Sequence, residues 1–465
     1  MMMRAFGHAV LAAAASLLVV ACGAGTEPDD LANGEATQTG LDVTIHDGEF
    51  ATIKQFTTPS GVSVWLVEER FIPILSLRMA WEQGTSSDPD GFEGLTNSVT
   101  YMMNEGAGDM DSQAFFQRME ELNMSFGCSA GQTSTFCNAS MLTENADESF
   151  ALISEAYAEP RFDEVPFERF RRENEVSLNT RETNANYLAS RAQIEALYPD
   201  HPFARQLTAE SLSALTAEAA KAHKSQVMTR EGLIVTAVGA ISPEELAPLI
   251  DEMAAGLSDA TIETPLEPVA LNEASEAPLT VSLPQPQSLV QFVGPAVARD
   301  HPDYYPLIVM NHIFGGGGNF SARLMSSLRV EKGLTYSIRT SVSPGEYLQL
   351  FSGGGQTKNE SAGEFIEGIK EEMRLMATEG ATVAEVEKSV AYLTGSYPLS
   401  FDSNAKIAGN MMSVRIEGLP VDYFDTRNDQ ISAVTLEDVN RVAATYLSPE
   451  RFTFFVVGEP EGLEG

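Results

Sequence analysis

Leu212-Ser213-Ala214-Leu215-Thr216-Ala217-Glu218 and Ile431-Ser432-Ala433-Val434-Thr435-Leu436-Glu437 are two versions of one phrase, at a sequence offset of 219 (431 minus 212). Each reads as the start of a helix, with Thr as N-cap and an acid in the first turn. Each is followed, at matched distance, by an apolar run ending in Val-Gly. These runs are Leu233-Ile234-Val235-Thr236-Ala237-Val238-Gly239 and Phe452-Thr453-Phe454-Phe455-Val456-Val457-Gly458, again 219 apart (458 minus 239). Their β-branched and aromatic residues read as strands. Two matches at one unchanged spacing imply a duplicated domain of about 220 residues, far longer than the period of a solenoid repeat.

Outward from these phrases, each half mixes strands and helices. The first half reads as strands over 62–68 and 74–81, helices over 91–104 and 112–122, and a hairpin around Cys128 and Cys137. Helices over 146–158 and 165–182, a strand over 233–238 and a helix over 243–256 complete it. Residues 258–276, rich in Glu, Pro, Thr, Ala and Ser without a periodic apolar pattern, read as a linker. The second half reads as strands over 278–283, 287–293, 335–342 and 346–352. Its helices fall over 303–314, 321–331, 359–378, 383–397 and 434–447. Strands in groups followed by helices in groups predict an α+β fold, two homologous α/β-sandwich domains spanning 45–257 and 277–465.

At 465 residues the chain has room for two or three domains, and 43% hydrophobic content is enough to build their cores. With 66 acidic and 29 basic residues the formal net charge is -37, which disfavours nucleic acid and anionic lipid surfaces as partners. After Arg4 an apolar stretch runs over 9–20, too short to span a bilayer, and ends in Val19-Val20-Ala21-Cys22-Gly23. This resembles a bacterial lipobox. The expectation is a signal peptide over 1–22, lipid on Cys22, a flexible tether over 23–44, and residence at the outer membrane facing the periplasm. Cys128 and Cys137 flank a hairpin turn. They either bridge in an oxidising compartment or sit as two small buried residues.

One stretch carries a family resemblance. It runs Gly315-Gly316-Gly317-Gly318-Asn319-Phe320-Ser321-Ala322-Arg323-Leu324 and resumes as Leu328-Arg329-Val330-Glu331-Lys332-Gly333-Leu334-Thr335-Tyr336-Ser337. It resembles the second domain of the pitrilysin/insulinase superfamily of zinc peptidases. That domain has a Gly-rich turn, Phe-Ser-(Ser/Ala)-Arg-Leu, a helix, then Leu-Arg-x-x-x-Gly-Leu-(Ala/Thr)-Tyr. Thr58 with Gly61-Val62, Gly84-Thr85 with Asp88, and Gly94-Leu95-Thr96 extend the likeness into the first half. The glycine run could also suggest a phosphate loop, but no Gly-Lys-(Ser/Thr) follows it.

The resemblance implies a zinc site that this chain lacks. Active members carry His-x-x-Glu-His on a helix, with two His at i and i+4 on one face and the Glu as base. Here those positions read Asn97-Ser98-Val99-Thr100-Tyr101. The downstream Glu ligand, in a Glu-x-Val-x-Leu-x-Glu pattern, becomes Thr180 in Glu173-Asn174-Glu175-Val176-Ser177-Leu178-Asn179-Thr180. The six histidines, His8, His46, His201, His223, His301 and His312, form no i, i+4 pair. No metal is expected in this chain.

Arg329 and Tyr336 survive at the family's spacing. By resemblance, Tyr336 would hydrogen-bond the scissile carbonyl or its oxyanion, and Arg329 would orient the peptide and add positive charge. Gly315 to Gly318 would form a mobile turn at the substrate chamber. The expected arrangement is a heterodimer in which a zinc-bearing homologous subunit cleaves unfolded peptides or small proteins. This chain would lend Arg329 and Tyr336 in trans. Two other readings are an inert peptide-binding or scaffold protein of the same fold, and a zinc peptidase with unusual ligands.

Overall fold

The computed structural model describes residues 40–259 and 266–463. The signal peptide, Cys22 and most of the tether lie outside the described residues. Within them the fold is α+β, with two large open sheets flanked by helices and a small two-stranded ribbon, Gly106–Ala107 with Met110–Asp111.

The first sheet has seven strands in the order Val43–Asp47, Thr52–Thr57, Ser63–Glu68, Ile234–Gly239, Ile74–Trp81, Thr135–Leu142 and Ser125–Ala130. The second has five, in the order Leu279–Ser282, Thr453–Gly458, Gln287–Pro295, Gln349–Lys358 and Ile338–Pro344. The last five strands of the first sheet and all five of the second follow the same topology. In each sheet a parallel pair, Ser63–Glu68 with Ile234–Gly239 and Leu279–Ser282 with Thr453–Gly458, precedes antiparallel neighbours. The duplication is also visible in the helices. Ala217–Val227 and Leu436–Tyr446 start and stop at the same offset as the repeated phrases, capped by Thr216 and Thr435. Both threonine hydroxyls accept a backbone N–H of the first turn, as those phrases imply.

The Cys128–Cys137 question is resolved by register. The two residues stand directly opposite each other on the edge hairpin, with Cα atoms 4.0 Å apart, and form a disulfide. Other expectations needed adjustment. The strands of the first half begin before the one expected over 62–68, because Val43–Asp47 and Thr52–Thr57 add two antiparallel strands. The stretch 321–331 is not a regular α-helix throughout, since Met325–Glu331 widens into π-helical turns.

Two helices that the pattern does not announce decide how the halves join. Ala185–Leu197, from the first half, lies on the second sheet, where Leu188 and Ala189 pack on Leu289 and Val457. Leu197 packs on Val293 and Phe455. Its counterpart at the duplication offset, Asn404–Ile416, lies on the first sheet. There Ala408, Met411 and Val414 cover Ile53, Trp65, Val67 and Val238. Arg415 secures this crossing. Its guanidinium donates to Val235 O (2.7 Å), Ser63 O (3.0 Å) and Ser63 Oγ (2.8 Å), and its carbon lies 5.3 Å from the Trp65 ring centroid. Burial pushes this guanidinium down to about 10. The larger faces of the sheets are covered by their own helices around Trp81, Tyr157 and Phe150 in one core and Phe292, Phe314 and Phe365 in the other.

Candidate functional site

Asn97, Thr100 and Tyr101 sit on the helix Leu95–Met102. Its start is fixed by a buried carboxylate. Asp88 accepts from Gly94 N (2.9 Å), Thr96 N (2.9 Å) and Thr96 Oγ1 (2.5 Å), and the Thr96 hydroxyl also meets His223 Nε2 at 2.9 Å. Leu95, Val99 and Met102 turn into the core. Asn97 and Tyr101, four residues apart, are left on the outward face, as the i, i+4 spacing requires. Thr100 is only 4% exposed, and its hydroxyl donates to Asn97 O (3.0 Å).

Tyr101 does not stand free. Its hydroxyl accepts from Arg169 Nε at 2.9 Å, and the same guanidinium forms an ion pair with Glu105. Its ring lies 5.3 Å from that of Phe170. Burial raises the Tyr101 phenol above its ordinary value, only partly opposed by Arg169. The Tyr101 and Glu105 partners raise the Arg169 guanidinium in turn. Asn97, Thr100 and Tyr101 line an open cleft of about 580 Å³, with Cys128 and Ser129 of the edge strand on one side and Asn174 and Arg181 on the other. Thr180 is not part of this lining. It is exposed near the end of the helix Glu164–Arg181, its hydroxyl bonded to Val176 O and Ser177 O of its own helix.

These residues do not fit a zinc ion. An amide, two hydroxyls already donating within their own helices and a phenol replace imidazoles and carboxylates, the donors zinc selects. Among the described residues no group of three or more His, Cys, Asp or Glu could hold a metal.

The second candidate cluster is on the other half. Arg329 lies in the π-helical segment beside buried Leu328. The strand approach beyond it alternates. Thr335 is buried, its hydroxyl donating to Ser337 O (2.9 Å) and Gln356 O (2.6 Å), and Ile338 is fully buried. Tyr336 between them is forced outward and is 82% exposed. The Arg329 guanidinium carbon lies 4.5 Å from the Tyr336 ring centroid and 4.5 Å from that of Phe320. Such contacts hold a cation in place without using its N–H groups. Arg329 and Tyr336 make no hydrogen bond or ion pair with another described residue. Tyr336 is exposed and Arg329 half-buried, so both donor groups lie at or near the surface.

The glycine run is less uniform than a mobile turn implies. The N–H groups of Gly315 and Gly316 donate to Asn311 O (2.9 and 2.7 Å), and a side chain on either would strike neighbouring atoms within 3.0 Å. Gly317 and Gly318 adopt left-handed backbone, φ +68 and +63, which favours glycine. Two glycines serve packing and two make the turn that presents Phe320. Arg323 of the same motif is structural, clasping the Glu385 carboxylate with two hydrogen bonds of 2.8 and 2.9 Å.

Sequence reasoning missed Arg169 and Phe320. Arg169 lies in Glu168-Arg169-Phe170-Arg171-Arg172-Glu173, which reads as a solvated helix face. Phe320 was visible in the motif, but its stacking on Arg329 needed coordinates.

Comparison with known proteins finds family matches in both halves of the chain. The model of the insulinase peptidase family, M16, matches residues 66–211. That of the peptidase M16 inactive domain matches residues 214–393. The non-peptidase homologue YmxG of Helicobacter pylori is 23% identical over 415 residues, covering 88% of this chain and 94% of that protein. The β subunit of the mitochondrial-processing peptidase of Dictyostelium discoideum is 20% identical over 412 residues, 84% of this chain and 85% of that one. A solved M16 inactive domain from Pseudomonas fluorescens superposes with a TM-score of 0.82 at 24% identity, covering 89% of this chain and 99% of that chain.

Proposed function

We propose that this chain, a member of the insulinase family of peptidases, M16, is the non-catalytic subunit of a two-chain zinc peptidase. One observation carries the reading. The zinc-site positions Asn97, Thr100 and Tyr101 hold no ligand set, while Arg329 and Tyr336 present unused donors at the surface. A scaffold needs neither of these donors. A partner that holds zinc but needs electrophilic help at a peptide carbonyl needs both.

In this arrangement a homologous subunit bearing His-x-x-Glu-His binds zinc. Tyr336 of this chain donates to the carbonyl oxygen as it gains charge, and Arg329 supplies a fixed positive charge beside it. The N–H groups of Arg329 are spent on nothing else, so its whole donor fork is free for the substrate. Removing one such donor costs on the order of 3 kcal/mol in the transition state, about a hundredfold in rate. Extended peptides bind by adding a strand to a sheet edge of the zinc-bearing subunit, and backbone pairing keeps sequence preference low. The acidic surface favours neutral or basic peptides. The reading also places the complex in the cell envelope, tethered through lipid on Cys22.

The test is peptide hydrolysis by this chain alone, by a homologous His-x-x-Glu-His chain alone, and by the mixture. Activity is expected only in the mixture, and Tyr336→Phe is expected to lower its kcat about a hundredfold with little change in KM. Chelator-sensitive cleavage by this chain alone would overturn the reading. A mixture no better than the zinc-bearing chain alone would favour an inert peptide-binding protein instead. The open cleft beside edge strand Ser125–Ala130 supports that second reading.

A further inference from the structure

Phe320 is a large apolar side chain that contributes little to either core. It is 64% exposed, on a chain with a formal net charge of -37. We infer that Phe320 is a positioning residue. Its ring, together with that of Tyr336, fixes the Arg329 guanidinium so that its N–H edge meets the substrate. The inference rests on the two-chain reading above and adds a third residue to it.

The backbone around Phe320 is fastened on both sides. Gly317 and Gly318 turn the chain in left-handed conformations. Asn319 then locks the turn through both ends of its amide. Its Nδ2 donates to Gly316 O (3.1 Å), and its Oδ1 accepts from Ser321 N (3.1 Å) and Ser321 Oγ (2.7 Å). Arg323, three residues beyond Phe320, is tied to the Glu385 carboxylate and donates to Gly380 O (2.8 Å). The Phe320 ring is delivered from this turn to Arg329, its centroid 4.5 Å from the guanidinium carbon.

Arg329 has no carboxylate to hold it. Glu331, the nearest acid in sequence, accepts from Ser326 Oγ (3.4 Å) and forms no ion pair with Arg329 among the described residues. A long side chain left loose must be ordered when it engages a substrate, at an entropic cost. A carboxylate partner would order it beforehand, but would also neutralise its charge and occupy its N–H groups. Aromatic rings avoid both effects. They attract the cation through their faces and leave its N–H groups unbonded. Tyr336 supplies one such ring, but at 82% exposure it is weakly held itself. Phe320 supplies the other from a locked turn. Without it the guanidinium is freed, and with it the Tyr336 phenol that leans on the same cation.

Four proteins test this, each mixed with a homologous His-x-x-Glu-His chain: Phe320→Leu, Phe320→Tyr, Arg329→Met, and Phe320→Leu combined with Arg329→Met. Phe320→Leu is expected to lower kcat about tenfold with little change in KM. Its thermal midpoint should match the native one, because the side chain is exposed. Phe320→Tyr keeps a ring face and should stay within about twofold of native. In the Arg329→Met background Phe320→Leu should lower kcat no further, since no guanidinium remains to be positioned. A kcat unaltered by Phe320→Leu, or an equal loss in the Arg329→Met background, would overturn the inference.

A native mixture no better than the zinc-bearing chain alone would instead count against the two-chain reading, and a second measurement, needing no partner, then decides the inference. In this chain alone, Arg329 is labelled with phenylglyoxal and the rate is followed by mass spectrometry of its peptide. Labelling is expected to be several-fold faster in Phe320→Leu than in the native chain, and unchanged in Phe320→Tyr. Equal rates in the native chain and Phe320→Leu would show that the ring does not hold the guanidinium, and the inference would fall.

Discussion

Lys224 shows how much one buried charge can govern. It is 7% exposed, and its ammonium donates to Tyr157 O with no acidic partner among the described residues. Burial pushes it down to about 8 from an ordinary value of 10.5. Below pH 8 both folded and unfolded states carry the proton, and the folded state bears the full cost of a buried charge. Between about 8 and 10.5 the unfolded chain holds more protons than the folded one, so stability rises with pH across that window. The gain is on the order of 3 kcal/mol. Lys224→Met is expected to stabilise the protein by about 2 kcal/mol at pH 7 and to flatten this rise. Denaturant unfolding at pH 7, 9 and 10.5 checks both statements, and an unaltered slope in the variant would exclude Lys224 as its source. At this scale the sequence was partly legible. Asn97, Thr100 and Tyr101 could be read as former zinc-site positions only through the family resemblance of the residues around them. Arg169 and Lys224 were not legible, because a cation in a charged or alanine-rich helix looks solvent-facing until its neighbours are known.

The elements that were hardest to foresee are those whose burial comes from the other half of the chain. Thr216 and Thr435 are local signals, and their helices began where the capping chemistry implied. Asn404–Ile416 has no such clarity. It packs against a sheet through Ala408, Met411 and Val414, carries buried Met412 as well, and half-buries Arg415, which a one-sided apolar stripe does not contain. Ala185–Leu197 relies on alanines and two leucines for its contact. Val43–Asp47 and Thr52–Thr57 were missed because they lie at the sheet's margin with several exposed side chains. Arg415→Met is expected to cost about 2 kcal/mol, since Ser63 and Val235 carbonyls lose their donor under the covering helix. Urea unfolding measures it. A variant as stable as the native protein would mean that the apolar contacts alone hold the crossing.

For the whole molecule, duplication was the most legible property, because a fixed offset of 219 (431 minus 212) survives where individual side chains do not. What the offset could not convey is the exchange of helices between the copies. Each half places one helix on its sibling's sheet, so neither is complete alone. A fragment of residues 41–258 would expose Ile53, Trp65, Val67 and Val238, and a fragment of residues 277–463 would expose Leu289, Val293 and Phe455. Separately expressed, each is expected to aggregate or to bind a hydrophobic dye. Expressed together they should recover a soluble pair, read by size-exclusion chromatography. A monomeric, dye-silent fragment would show that the exchange is dispensable.

The same exchange sets a schedule for synthesis. The strand Ile234–Gly239 leaves the ribosome long before Ile416, the end of the helix that shelters it. At roughly 5–20 residues per second, that interval is on the order of ten to thirty seconds. Throughout it, one apolar flank of the first sheet has nothing to lie against. A nascent chain of this design gains by staying unfolded until nearly all of it has been made, and a chaperone that holds it open would find its binding surface on that flank.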